Sequence, residues 1–151
     1  MAITTALCNS FKGEILAGEH NLASDTLKVA LIKSNSTMTG TYNADTENYS
    51  DVTGNSDEAS GTGYTTTGET LTSVSVTVDD TNDKAYVDIG DVTWTSSSIT
   101  AAGCIIYNTS TTPANKAIAV IDFGGDKTST NGDFVIEFPA TAHDTAIIVI
   151  S

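Results

Sequence analysis

A chain of 151 residues is long enough for one domain whose hydrophobic core needs neither metal nor disulfides. Its 19 acidic residues stand against six lysines and no arginine, and the net charge is −13. This charge excludes the usual way of binding nucleic acid, which is phosphate neutralisation by Lys and Arg, and it disfavours anionic membrane surfaces. We therefore expect a single domain, residues 1–151, that binds neither nucleic acid nor membrane.

The composition favours β structure. Ser and Thr make up more than a quarter of the chain, and Gly and Asn are also frequent. Threonine suits strands, whereas Ser, Gly and Asn suit turns. The strong acidity has two interpretations. It can serve solubility and prevent self-association, or it can serve docking to a basic partner.

The first predicted element is a short helix at residues 5–17. Leu7, Phe11 and Ile15 recur every four residues and form one apolar stripe, and Gly18 is placed to end the helix. Two alternatives follow from this stripe. The helix packs on its own domain, or it reaches a neighbouring subunit as an arm.

A strand is predicted at Leu27–Lys33, where apolar residues alternate. The following segment, residues 34–70, is polar and has few large apolar side chains apart from tyrosines. It is interpreted as a long excursion loop with one short hairpin, because such loops carry contacts more often than core. Tyr42, Tyr49 and Tyr64 are its candidate anchors for a partner.

Residues 71–151 are predicted to form the strand-rich core. Val74, Val76 and Val78 alternate with polar residues as in a half-buried strand, and an Asp-rich turn at residues 79–84 leads into a second strand at residues 85–89. Further strands are predicted at residues 92–94, 99–107, 117–123, 134–138 and 146–150. The predicted core includes Trp94, Ile105, Val120, Ile121, Phe134, Ile136 and Ile148. Short strands separated by turns predict a mainly β fold, an antiparallel β-sandwich or barrel-like domain with one short N-terminal helix.

No pattern predicts catalysis, a cofactor or a bound metal. The two histidines, His20 and His143, lie beside acids but in no known catalytic motif. Cys8 and Cys104 have no motif spacing, and buried free thiols are favoured over a disulfide. The aspartates at residues 79–84 are expected to cap turns; calcium is the alternative, although this loop lacks the glycine and distal glutamate of an EF-hand. The chain is therefore predicted not to be an enzyme.

Four stretches resemble small structural proteins of tailed bacteriophages, including marine and cyanobacterial phages. They are ALCNSFK and GEH at residues 6–12 and 18–20, SGTGY and GETL at 60–64 and 68–71, VTW and IIYN at 92–94 and 105–108, and NKAIAVIDFG and NGDF at 115–124 and 131–134. The resemblance covers nearly the whole chain in order and is weakest at residues 34–58.

This resemblance implies a virion protein, made in the cytoplasm of the bacterial host. It implies a capsid decoration or cement protein that docks on the major capsid protein or other virion proteins, as a homo-oligomer or symmetric array. A tail or fibre component and a carbohydrate-binding β module are the alternatives. The predicted docking elements are the helix, through Leu7, Phe11 and Ile15, and the loop at residues 34–70 with its three tyrosines.

Overall fold

A computed structural model describes residues 1–139, 142 and 144–151 of the chain. The strands are β1 (Ala2–Ile3), β2 (Ala6–Leu7), β3 (Leu27–Lys33), β4 (Thr41–Tyr42), β5 (Gly61–Thr62), β6 (Glu69–Thr70), β7 (Ser75–Asp79), β8 (Lys84–Asp88), β9 (Val92–Asn108), β10 (Lys116–Thr128), β11 (Gly132–Ile136) and β12 (Ile148–Ile150). The helices are α1 (Asn9–Leu16) and α2 (Tyr49–Gly54). The protein is mainly β, and its antiparallel sheets form a sandwich-like arrangement, as the sequence predicts.

The long strand β9 organises the main sheet, whose strand order is β2-β10-β9-β3-β6. The C-terminal half of β9 pairs with β10 on one side and β3 on the other, and the N-terminal half pairs with β11 and β5. Every residue from 101 to 108 is buried. A strand without an exposed face needs cover on both sides of the sheet.

Two consecutive residues of β9 show what covers each face. Side chains alternate along a strand, so Tyr107 and Asn108 point to opposite sides of the sheet. Tyr107 stacks on Tyr49 at the start of α2, with ring centroids 4.5 Å apart. Asn108 is hydrogen-bonded to His20, which follows α1. The α1 region and α2 therefore cover opposite faces of the main sheet.

A second sheet of three strands has the order β12-β8-β7 and is antiparallel throughout. Its apolar face borders a cleft whose other wall includes residues of α1. A further pair, β1 and β4, is parallel and ties the N-terminus to the segment after β3. The residues before α1 are thus built into the domain twice, through β1 and through β2.

Several predictions are confirmed. Strand β3 has the predicted bounds, and β7 and β8 form the predicted hairpin. The predicted core residues are buried, except Ile121, which is half-buried: the buried ones are Trp94, Ile105, Val120, Phe134, Ile136 and Ile148. Cys8 and Cys104 are buried free thiols, as favoured over a disulfide.

The helix is shorter than the predicted range of residues 5–17. Residues 6 and 7 belong to β2, which pairs with β10, and α1 begins only at Asn9. The backbone N–H of Cys8 donates to the Ile118 carbonyl on β10, so pairing with the sheet holds the chain extended up to that point. Gly18 ends the helix as predicted, in the left-handed conformation with φ of 77°.

The segment at residues 34–70 is more structured than the predicted excursion loop. It contains α2, and Asn48 and Asp51 form a capping box at the start of this helix. The buried apolar residues of the segment are Met38, Tyr42, Tyr49, Val52 and Ala59. Sparse apolar residues can still anchor a segment that lies against an existing sheet, and hydrophobic periodicity does not detect this arrangement.

The strands predicted at residues 92–94 and 99–107 are one continuous strand. The three serines between them were expected to separate two strands, yet β9 runs through them. Ser97 is buried, and its Oγ lies 2.7 Å from Ser129 Oγ and 3.0 Å from the carbonyl oxygen of Gly132. Hydroxyls satisfied in this way can occupy the interior of a strand.

Candidate docking surface

The predicted docking stripe of the helix packs on the chain's own sheet. Phe11 is buried, and its ring makes an edge contact with His20 at a centroid distance of 5.0 Å. Leu7 and Ile15 are half-buried against the core. Of the two alternatives, the structure has the helix on its own domain. Phe11 is therefore not accessible to a partner in this fold.

The three tyrosines predicted as anchors are also engaged within the chain. Tyr42 and Tyr49 are buried and Tyr64 is half-buried. The Tyr42 hydroxyl donates to Asp57 at 2.6 Å, whereas those of Tyr49 and Tyr64 donate to Glu58 at 2.5 and 2.8 Å. These three hydrogen bonds tie the polar segment to itself. Its links to the sheet are the stacking of Tyr49 on Tyr107 and the hydrogen bond from the Leu31 N–H to the Tyr64 hydroxyl.

Asp57 is a buried carboxylate that organises the turn before β4. It accepts hydrogen bonds from the backbone N–H groups of Thr39 and Gly40 and from the Tyr42 hydroxyl. Lys33 Nζ lies 2.9 Å away. Burial by itself would raise the pKa of Asp57, but these donors outweigh it and hold the pKa well below its ordinary value. The role of this carboxylate is structural.

Glu58 is a second internal acceptor. Besides the Tyr49 and Tyr64 hydroxyls, it accepts the backbone N–H of Thr67 at 2.7 Å. Burial and the neighbouring Glu58 carboxylate raise the pKa of both tyrosines far above its ordinary value. These phenols remain protonated donors, and their hydrogen bonds to Glu58 fix the loops around it.

His20 is buried, and both of its ring nitrogens are hydrogen-bonded within the chain. Asn108 Nδ2 lies 2.7 Å from a carboxylate oxygen of Asp25 and 3.0 Å from His20 Nδ1, so this nitrogen accepts a hydrogen bond from the amide. The other nitrogen, Nε2, then donates to Glu14 at 2.9 Å. Lys116 Nζ extends this hydrogen-bonded network and lies 3.1 Å from a carboxylate oxygen of Glu14. The cluster joins the end of α1 to β9 and β10 and leaves no ring nitrogen for a substrate.

The remaining candidates for chemistry are in structural positions or outside the described residues. Burial raises the pKa of the Cys104 thiol to about 12, so the thiol stays protonated. In the turn at residues 79–84, Asp79 accepts hydrogen bonds from the backbone N–H groups of Thr81 and Asn82, which is the predicted capping role. His143 lies outside the described residues. In the described part of the chain, no group of three or more His, Cys, Asp or Glu residues is placed to hold a metal ion.

An exposed apolar strip lies on the three-stranded sheet and consists of Val76, Val78, Ala85 and Ile150. Val78, Ala85 and Ile150 are directly opposite one another on β7, β8 and β12. The side chains of Val76, Val78 and Ile150 are 48%, 71% and 58% exposed, and Ala85 is half-buried. The sequence predicts a half-buried strand with its valines inward; the structure exposes two of these valines. Isolated exposed apolar residues are ordinary, but neighbours in register form a patch that suits a protein contact.

The strip continues into the cleft between the small sheet and α1, whose volume is about 770 Å³. The cleft is lined by Phe11, Ile15 and Leu16 of the helix and by sheet residues that include Val76 and Ile148. Leu16 is 88% exposed at the rim. Leu16 and the strip are the residues that sequence reasoning missed. The alternating valines were a signal, but periodicity does not show which strand ends at the edge of a sheet.

The sequence matches no protein family, no curated protein and no solved structure. Within residues 1–139, 142 and 144–151, no helix is both long enough and apolar enough to cross a membrane.

Proposed function

We propose that this chain is a structural protein of a tailed-bacteriophage virion, most specifically a capsid decoration protein that docks on the major capsid protein and stabilises the head. The observation that carries the proposal is the exposed apolar strip with Leu16 beside it. Asp57, Glu58 and His20 are engaged in contacts within the chain, and both thiols are buried. A domain built in this way suits binding to another protein better than it suits chemistry.

The acidity also supports this role. A decoration protein must stay dispersed before assembly and then cover a particle in many symmetric copies. A net charge of −13 opposes self-association in free solution. Docking then depends on a surface that a partner recognises by shape, apolar contact and opposite charge. The resemblance of four stretches of the sequence to small phage structural proteins points to the same class of protein.

The experiment is to purify virions of the phage that encodes the chain and to measure its copy number by quantitative mass spectrometry. Antibody labelling in electron microscopy then places it on heads or tails. A decoration protein is expected in many copies over the head, and particles lacking it should lose their DNA at a lower temperature. A few copies confined to the tail would refute the decoration role in favour of a tail or fibre component. Glycan binding by a chain absent from virions would favour a carbohydrate-binding module.

A further inference from the structure

Strand β7 is an edge strand of the small sheet. In the strand order β12-β8-β7, and within the described residues, it pairs on one side with β8. An edge presents backbone N–H and C=O groups that another strand can use, and proteins commonly protect such edges with lysine or proline. The sequence of β7 is SVTVD, which contains neither residue. The outer edge of β7 is therefore suited to accept an added strand.

The side chains on this face are arranged in rows that an added strand would extend. Val76 lies opposite Val87, which lies opposite Ile148, and this row is buried at its β12 end. The next row runs from Val78 through Ala85 to Ile150, and together with Val76 it makes up the exposed strip. Apolar side chains of an added strand would lie next to the two valines and remove them from water. Backbone pairing would supply affinity, and the valines would select apolar residues at alternate positions.

The charges near this edge indicate the kind of partner. The turn at the tip of the hairpin carries Asp80 and Asp83, and the lysine that follows them, Lys84, is paired with Asp144. A second copy of the chain would bring the same acidic turn and a further net charge of −13. The acidic turn would therefore attract a basic segment of another protein, whereas it would repel a second copy of this chain.

We propose that the outer edge of β7 binds an extended segment of a partner protein in which apolar residues alternate with lysine or arginine. The segment joins the small sheet as a fourth strand and covers Val76 and Val78. The identity of the partner as a capsid protein rests on the proposed function, whereas the edge, the valines and the acidic turn do not.

The test uses the full chain labelled with ¹⁵N and a synthetic peptide of alternating lysine and valine with blocked ends. Binding should shift the amide resonances of Ser75–Asp79 and of the neighbouring strand β8, and its affinity should fall as salt is added. A matched peptide with glutamate in place of lysine should not bind. If both peptides bind alike, the charge argument and the basic partner are wrong.

The variant Val76→Lys/Val78→Lys should weaken peptide binding by about tenfold or more, because it removes two apolar contacts and repels the lysines. Val135→Lys is the matched control, since Val135 is also an exposed strand valine but lies on β11. If circular dichroism shows that the double variant is unfolded, Val78→Lys alone serves the same test. Equal loss in the control, or resonance shifts that avoid β7, would overturn the proposal.

Sedimentation analysis tests whether a second copy of the chain occupies the edge of β7. A dimer of the wild-type chain that Val78→Lys dissociates would show that a second copy takes this edge, which refutes the basic partner.

The proposed virion function and the proposed binding at β7 can be refuted independently of each other. A chain absent from virions that still binds the lysine peptide at β7 refutes the proposed function alone. A chain found on heads that ignores the peptide refutes this inference alone.

Discussion

Asp57 and Glu58 are adjacent residues with related structural roles. Asp57 fixes the turn at Thr39 and Gly40, and Glu58 accepts the hydroxyls of two tyrosines. Asp57 is buried and Glu58 is half-buried, and removing such carboxylates from water is costly unless they accept hydrogen bonds, as both do. A polar segment with few apolar residues is therefore held in place by two acceptors within it. This explains how residues 34–70 can be ordered with little hydrophobic core of their own.

Replacing Asp57 by Asn tests this role. The substitution removes the charge facing Lys33 and places an amide N–H₂ among groups that already donate. The free energy of unfolding should fall by about 3 kcal/mol or more, as when one partner of a buried pair is removed. Urea unfolding at neutral pH measures it. The control is Asp80→Asn in an exposed turn, for which a change below about 0.5 kcal/mol is expected. Equal effects would show that Asp57 has no special role.

The pH dependence of stability gives an independent check on Asp57. Its pKa is lowered in the folded protein, so its contribution to stability is fully present above the unfolded value of about 3.9 and is lost as the pH falls below it. Between neutral pH and pH ~3 the wild type should therefore lose more stability than Asp57→Asn. Parallel losses in the two proteins, measured by urea unfolding at each pH, would contradict the lowered pKa.

At the scale of elements, α1 is a part of the domain and not a projecting arm. Its buried residue Phe11 packs beside His20, while Leu16 at its end faces solvent. Phe11→Ala should lower the free energy of unfolding by about 3 kcal/mol or more, because it leaves a cavity under the helix. Leu16→Ala is the matched change on the same helix and should cost less than about 0.5 kcal/mol. Similar small losses for both variants would restore the arm hypothesis.

Strand β11 offers a matched pair of neighbouring residues. Phe134 is buried and its ring makes an edge contact with Trp94 at a centroid distance of 6.0 Å, whereas Val135 is exposed. Phe134→Ala is expected to cost about 3–5 kcal/mol of stability. Val135→Ala should change stability by less than about 0.5 kcal/mol. Thermal and urea unfolding measure the change in the free energy of unfolding for each variant. A loss below about 1 kcal/mol for Phe134→Ala would place it outside the core.

At the scale of the whole molecule, charge governs which partners are compatible. Six lysines and no arginine against 19 acids leave the protein without a source of counterion release on DNA. We expect no shift of double-stranded DNA in gel electrophoresis, even at low ionic strength, where weak binding is strongest. A shifted band that disappears as salt is added would contradict this prediction.

Much of the architecture could be predicted from the sequence because it depends on local patterns. Alternation identified β3 and the hairpin of β7 and β8, and the large apolar residues of β9 to β12 identified part of the core. The same local logic failed for α2, whose apolar face consists of only Tyr49 and Val52 and is too short to show a periodic pattern. It also failed for β9, where three serines were interpreted as a break although Ser97 is satisfied inside the strand.

The sequence by itself determined the fold class, the part of the core carried by regular strands, and the acidity, since composition and period-two patterns are properties of the chain alone. The tertiary structure alone decided which apolar residues remain exposed. Val76 and Val87 are both predicted inward, yet Val87 is buried and Val76 is not, because β8 lies in the middle of its sheet and β7 at the edge. The tertiary structure also decided that Tyr42 and Tyr49 face inward, because Asp57 and Glu58 accept hydrogen bonds from their hydroxyls there. Strand order and the pairing of distant polar groups are long-range properties that no local pattern contains.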